Sequence, residues 1–322
     1  MNKIYDIEKS PLYKLSNKRK LEKLLKIEKY YFDKKHNYEY SSFQKPKKGG
    51  GKRTITNPIG ELKELQKYIF KYLNRIKRLE WLVSGAKGKS SVDNAKVHKE
   101  NFFVATLDIK KFYDSTKSKY VYKFLKNKLK VSDDIACLLL ELLTDGGKIP
   151  TGTPCSQLLA YFAYEDIFNE INNECAKRNM KFTLYVDDMT ISSKESINKR
   201  IINIVETILI KSDLSIKRCK TVLYGKIRNK TITGVIQNKK NELKLENSKR
   251  QEILKLYIEL TKKVDMEKML KLKGLLNYAR QIENNIFPTI YEFIEKYKNE
   301  IKEFNRKKRK YYKKKRFIKR AS

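Results

Sequence analysis

The chain has 322 residues, 40% of them hydrophobic, enough for a large core and two or three subdomains. Lys and Arg number 74 against 37 Asp and Glu, and the net charge of +37 calls for a polyanionic partner, nucleic acid or an acidic membrane face. Four scattered cysteines and only two histidines argue against a zinc site, and no run reaches membrane-span length; a soluble, cytoplasmic protein with free thiols is expected.

Residues 16–32, SNKRKLEKLLKIEKYYF, predict a helix capped by Ser16, with Leu21, Leu24, Leu25, Ile27 and Tyr31 along one stripe. KPKKGGGKRTITNP, residues 45–58, breaks that pattern: glycines among cations make a basic loop, and RTIT resumes as a strand. ELKELQKYIFKYLNRIKRL, 61–79, reads as an amphipathic helix, and FFVATLDI, 102–109, as a mostly buried strand carrying Asp108 at its end. SKYVYKFLKNKL (118–129), DDIACLLLELLT (133–144) and residues 156–178 read as helices, the last preceded by the turn-rich GGKIPTGTPCSQ. FTLYVDDMTISS, 182–193, sets two aspartates between two runs of β-formers. A helix at 195–212 and short strands across 220–236 follow. From about 245 the pattern is helical, ending in RKKRKYYKKKRFIKR, 306–320, with 11 basic residues in 15 and no acid. The order is basic α with a hairpin, mixed α/β, then all-α, with a soft boundary near 240.

If the strands bearing them are neighbours, Asp108, Asp187 and Asp188 converge at one sheet edge. Unpaired, such a cluster is costly and its pKa values rise. Divalent cations remove the cost, and hard oxygen ligands favour Mg²⁺. Two ions about 3.5–4 Å apart can activate an attacking hydroxyl and stabilise a leaving pyrophosphate oxygen. The competing reading is a solvated hairpin turn with an unrelated strand-end aspartate. Tyr113 follows Asp108 at a distance that lets a strand-to-helix turn bring its ring near the carboxylates. The Gly-rich loop at 47–53 offers N–H groups and cations to a triphosphate, without the GxxxxGK[ST] spacing of a P-loop.

LDIKKFYDS, IPTGTPCSQLLA, LYVDDMTIS and KRCKTVLYG stand in the order and rough spacing of reverse transcriptase motifs A to D. KPKKGGGKRTITNP with LKELQ resembles the fingers segment before them, and the likeness covers about residues 38–235. Within that class NAKVH, 94–98, resembles the NAxxH signature of bacterial retron reverse transcriptases; ITG, 232–234, stands where that group carries VTG. The resemblance implies an α+β right-hand polymerase: N-terminal helices and fingers over 1–105, a palm with an antiparallel sheet and part of the fingers over 106–240, and a helical thumb with a basic tail over 241–322. It implies two Mg²⁺ ions, with Mn²⁺ as an alternative, held by Asp108, Asp187, Asp188 and the Ile109 carbonyl, Asp187 bridging both. Lys220 would protonate departing pyrophosphate. Lys47 and Arg53 would grip the triphosphate, Tyr113 would exclude a ribose 2′-OH, and Thr151 and Gly152 would flank the nascent base pair. Thr151 replaces a Gln, and Val186 an Ala, found in many relatives, which puts the nucleotide contact and the fit at the primer end in question.

RNA recognition is expected from Asn94 and His98, unless they only fix a loop, and from thumb residues Lys249, Arg250, Lys271, Lys273 and Arg280. In the tail, Arg306, Lys307, Tyr311, Tyr312 and Lys314 would bind RNA, or the segment is a solvated end. Trp81 reads as packing or as a base platform. The resemblance further implies that a cognate noncoding RNA is copied from one of its own 2′-OH groups into branched, RNA-linked DNA (msDNA), in anti-phage defence with an effector protein. Partners would be that RNA, its DNA product, dNTPs and the effector, with no membrane. Two other readings stand beside it: a reverse transcriptase of abortive-infection or group II intron type, and an RNA–DNA-binding scaffold that restrains an effector.

Overall fold

The computed structural model describes residues 4–46, 50–86 and 88–321, with side chains to Tyr311. It divides into two units: one runs to Ser90 and resumes over Asn101–Gly225, the other joins Ser91–Glu100 to the chain from Lys226 onward. The sequence reading places its last boundary near 240 and keeps 91–100 with the N-terminal segment; both differ from this division.

In the first unit, α1 spans Lys18–Leu25 and is capped by Asn17, whose Oδ1 accepts from Arg19 N and Lys20 N, not by Ser16. The helix stops at Lys26, which takes a left-handed conformation. Buried Glu22 then accepts from Tyr30 N and Phe32 N and folds the following segment back. β1 (Tyr40–Pro46) and β2 (Lys52–Pro58) pair as an antiparallel hairpin; Lys47 lies outside the described residues. α2 spans Gly60–Leu73 and buries Leu62, Leu65, Ile69 and Leu73. It ends before the expected 79 because the chain next runs beside the central sheet, with Leu184 N donating to Trp81 O and Val83 N to Leu184 O. α3 (Ser91–His98) belongs to the other unit.

The central sheet has the order β4–β5–β3–β6, all antiparallel: β3 is Phe103–Asp108, β4 Lys181–Tyr185, β5 Asp188–Ser193 and β6 Val222–Tyr224. β3 and β5 are the inner strands and are buried on both faces, so they lack strict apolar–polar alternation. Around them lie α4 (Phe112–Ser115), α5 (Ser118–Lys123), α6 (Asp133–Leu143), α7 (Ser156–Ala163), α8 (Glu165–Ala176) and α9 (Lys199–Ile210). α5 passes into a π turn over Phe124–Lys128, which widens the last part of the predicted 118–129 helix, with Leu129 N donating to Phe124 O. The predicted 156–178 helix breaks at Tyr164, whose ring is buried and whose hydroxyl donates to Ser115 O at 3.2 Å. Phe168, Ile171 and Cys175 of α8 and Ile201, Val205 and Ile208 of α9 recur at helical spacing and are buried. Each such large side chain contributes about 1.5–3 kcal/mol. Trp81 joins this core, with ring centroids 5.7 Å from Tyr161 and 5.8 Å from Phe182.

In the second unit, β7 (Lys230–Ile232), β8 (Val235–Gln237) and β9 (Leu243–Leu245) form an antiparallel sheet, followed by α10 (Asn247–Lys262), α11 (Met266–Ile282), α12 (Pro288–Lys296) and α13 (Lys298–Ala321). Ile253, Leu256, Leu260, Met269, Leu272 and Leu276 make its helical core. α3 packs on β7 and β8. Asn94 Nδ2 donates to Thr233 Oγ1 at 3.4 Å, and Thr233 Oγ1 donates to Ser91 O at 2.9 Å. NAKVH and ITG, far apart in the chain, are one hydrogen-bonded contact.

Candidate active site

The register sets Asp108, last in β3, opposite Asp188, first in β5. Cross-strand partners stand on the same face. Asp187 stands in the two-residue turn that joins Tyr185 to Asp188, and its carbonyl accepts from Ile109 N at 2.9 Å. The carboxylates act on one another. Burial and then the Asp108 charge hold Asp187 above the usual carboxylate range. Burial, then Asp187 and Asp108, push Asp188 up to about 6.

Lys220 reaches this cluster because the chain around it is fastened to β3. Lys217 N donates to Asp108 O at 2.7 Å, and Lys110 N to Ser215 O at 2.8 Å. Lys220 Nζ stands 2.6 Å from Asp108 Oδ2, and that hydrogen bond raises its pKa, so it keeps its proton at neutral pH. The bridge between Ile109 and Ile216 runs through Asp108 O and Lys110 N, not through the Ile109 carbonyl. Arg53, on β2, is close enough that its charge favours ionised Asp187. Tyr113 is half-buried beside them; burial and the Asp187 charge push its hydroxyl up to about 12.

The loop before α7 is tied to β2. Thr151 Oγ1 accepts from Thr56 N and donates to Thr54 O, both at 3.1 Å, and Gly152 N donates to Thr56 O at 2.9 Å. The Thr151 hydroxyl, expected to bear on the nucleotide, is thus engaged with the strand that carries Arg53.

The aspartate turn has a support the sequence does not announce. Val186 has φ +61°, a conformation that a β-branched residue rarely adopts. Its N–H donates to Ser84 Oγ at 2.8 Å, and Ser84 is 2% exposed. The two are 102 positions apart, so no local pattern could have paired them. Ser84→Ala is expected to cost about 1–2 kcal/mol by stranding that N–H. Val186→Gly should relieve strain of order 1 kcal/mol and raise the melting temperature. Both should lower kcat for nucleotide addition with little change in KM, because the turn that aims Asp187 loosens; steady-state kinetics with thermal melts checks both.

Residues 45–237 match the family model described as reverse transcriptase (RNA-dependent DNA polymerase). The chain belongs to this family. Among curated relatives, the retron Ec83 reverse transcriptase of Escherichia coli is 25% identical over 275 residues, 80% of this chain and 86% of that protein. The retron Se72 reverse transcriptase of Salmonella heidelberg is 30% identical over 176 residues, 53% of this chain and 46% of that protein. These relatives bear out the resemblance to bacterial retron reverse transcriptases, and the activity is RNA-directed DNA polymerisation. Among solved structures, apo telomerase from Candida tropicalis superposes with a TM-score of 0.54 at 11% identity, over 79% of this chain and 59% of that one. Telomerase from Candida albicans, in complex with a fragment of telomeric RNA, gives 0.50 at 12% identity, over 80% and 56%. The chain spans little more than half the length of these telomerase chains, and the likeness supports the α+β right-hand polymerase fold.

Reverse transcriptases use divalent metal ions. The donors here fit one: three carboxylates and a main-chain carbonyl, hard oxygens with no thiolate or imidazole among them. Among the described residues no three such side chains already stand as a ready-made metal site, and Lys220 takes one Asp108 oxygen.

The fold favours protonated Asp188, so this contribution is complete below about 4 and is lost as pH rises through about 6. In chelator, Asp188→Asn should flatten that stretch of the stability curve. At neutral pH it should stabilise the reverse transcriptase by no more than about 1 kcal/mol, because Asp188, though its carboxyl is partly enclosed, keeps enough solvent access for water to screen its charge. Thermal melts across pH check this.

The expected RNA-binding residues fall in the second unit and scatter. Asn94 and His98 are fully buried, so they serve its packing rather than offering themselves to RNA. Lys249 and Lys271 both pair with Glu252, at 2.6 and 2.9 Å. Arg250 is bound to Glu283 and Leu245 O. Arg280 stacks 4.0 Å from the Tyr291 ring centroid, and Lys273 is half-buried. On α13, Arg306 and Tyr311 are exposed, and Lys307 meets Glu303 at 2.8 Å. The side chains of Tyr312 and Lys314 lie outside the described residues. The four cysteines are free thiols. No helix among the described residues is long and apolar enough to cross a membrane.

Proposed function

We propose that this reverse transcriptase copies part of a cognate structured noncoding RNA into msDNA, priming from a 2′-OH of that RNA, and that the product serves anti-phage defence with an effector protein. One observation carries the reading: NAKVH and ITG meet through Asn94 and Thr233, in a chain of which a retron relative covers 80%. Two Mg²⁺ ions, or Mn²⁺, would be held by Asp108, Asp187, Asp188 and the Ile109 carbonyl and would supply charge neutralisation at the triphosphate. The protein's own part is positioning. Arg53 meets the triphosphate from β2, and Lys47 would add a second cation. Gly152 lets β2 close on the nascent base pair. Lys220, protonated at neutral pH, holds a proton for the leaving pyrophosphate.

Tyr113 would fill the space of a ribose 2′-OH. Tyr113→Ala should raise ribonucleotide incorporation by about 10- to 100-fold relative to deoxyribonucleotides; an unchanged ratio in single-nucleotide extension removes the gate assignment. The whole proposal is tested by sequencing the nucleic acid that copurifies with the full chain, before and after debranching. The expected result is DNA joined through a 2′ linkage to one RNA. Unbranched DNA primed from a 3′-OH would overturn it.

A further inference from the structure

The second unit holds a cavity of about 830 Å³, lined by none of the residues assigned above to nucleotide addition. It is lined by the C-terminal end of α3 and the residue after it, by β9, and by the turn that follows α11. Its size falls within the range of about 300–1,000 Å³ typical of ligand sites.

Its two acids are committed. Glu283 accepts from Arg250 and Leu245 N, and Glu242 accepts from Asn238 Nδ2 at 2.9 Å. Lys244 leans on both, at 3.4 and 3.8 Å. The charge left for a ligand is positive. Lys96 only loosely meets Asp93, at 3.8 Å, and Lys99 is exposed. Beside these exposed lysines the wall carries three exposed amides, Gln281, Asn284 and Asn285, backed by Leu243 and Ile286.

We propose that this cavity receives an unpaired nucleotide from a loop of the RNA partner, an inference that rests on the RNA-copying function proposed above. Side-chain amides offer donors and acceptors together, as the edge of a base requires. Lys96 and Lys99 meet the flanking phosphates. Proteins read RNA sequence mainly at unpaired bases, because side chains cannot enter the narrow major groove of an RNA helix. An acidic peptide would satisfy the lysines but leave the amides without a purpose and face Glu242.

The retron-type signature gains a role from this placement. Asn94, Ala95 and His98 are buried and lock α3 on its sheet, while Lys96 is exposed. Lys96 occupies one of the two positions that NAxxH leaves open. The specified residues hold the helix, and an unspecified one meets the ligand.

The test uses the full chain and a pool of RNA hairpins with randomised, thiouridine-bearing loops. Wild type should enrich particular loops and crosslink them to the peptide containing residues 281–286. Asn284→Ala with Asn285→Ala should weaken the selected hairpin about tenfold. Lys96→Glu with Lys99→Glu should weaken it by a similar factor and flatten its salt dependence. Both variants should keep the wild-type melting temperature and extend oligo(dT) on poly(rA) at the wild-type rate. Loss of that extension by wild type itself would count against the polymerase reading, not the cavity. The cavity assignment falls if wild type enriches no loop, if the variants bind selected loops as wild type does, or if polyglutamate displaces the crosslink while unselected hairpins do not.

Discussion

Asp187→Asn combined with Asp188→Asn is expected to reduce DNA synthesis by about a thousandfold or more and to leave RNA binding within about twofold. Both side chains stand at the β4–β5 turn with Asp108 across the strand pair, and burial, then their shared charge, disfavours the ionised cluster in the metal-free protein. Removing two charges relieves that repulsion, so the variant should melt higher than wild type in chelator. The same change removes most of the oxygens that would hold cations at the triphosphate, and several kcal/mol of charge stabilisation corresponds to three or more decades of rate. The RNA-binding candidates lie in the second unit, so binding should survive. Primer extension, filter binding and melts on one preparation separate these outcomes. DNA synthesis at the wild-type rate would remove the three aspartates from catalysis.

What could be read from the chain follows how local each signal is. Asp108 and the Asp187–Asp188 pair were legible because each ends a run of β-formers, and ordered motifs set those runs side by side; the register then put Asp108 opposite Asp188. Trp81 was legible as packing, and its ring sits among Tyr161, Phe168 and Phe182. Long-range polar contacts were not legible. Ser84 supports the turn from 102 positions away, and Thr151 spends its hydroxyl on a strand 95 positions before it. Glu22 ended α1 early by capturing Tyr30 N and Phe32 N, which an apolar stripe cannot reveal. α3 was assigned with its sequence neighbours, whereas buried Asn94 and its bond to Thr233 join it to the unit beyond residue 225. Val186 looked like a question of bulk at the primer end. Its positive φ makes it first a question of backbone strain.

Gly152→Ala is expected to destabilise the protein by about 1–3 kcal/mol and, where it still folds, to raise KM for the incoming dNTP. A Cβ at this position would stand 1.8 Å from Asn57 Oδ1 and 2.8 Å from Thr56 O. The Asn57 side chain can rotate away. Thr56 O cannot, because it belongs to β2 and already accepts from Gly152 N at 2.9 Å. The strand must therefore retreat or the loop must tilt. Retreat also strains the two Thr151 contacts to Thr54 and Thr56 and carries Arg53 away from Asp187. The glycine thus matters for a close approach of two backbones rather than for an unusual φ. Asn57→Gly in the Gly152→Ala background separates the two clashes. If the side chain alone is at fault, this second change restores dNTP affinity. If the Thr56 carbonyl is the barrier, KM stays high, and the loop before α7 is confirmed as a spacer that sets how closely the hairpin bearing Arg53 approaches the carboxylates.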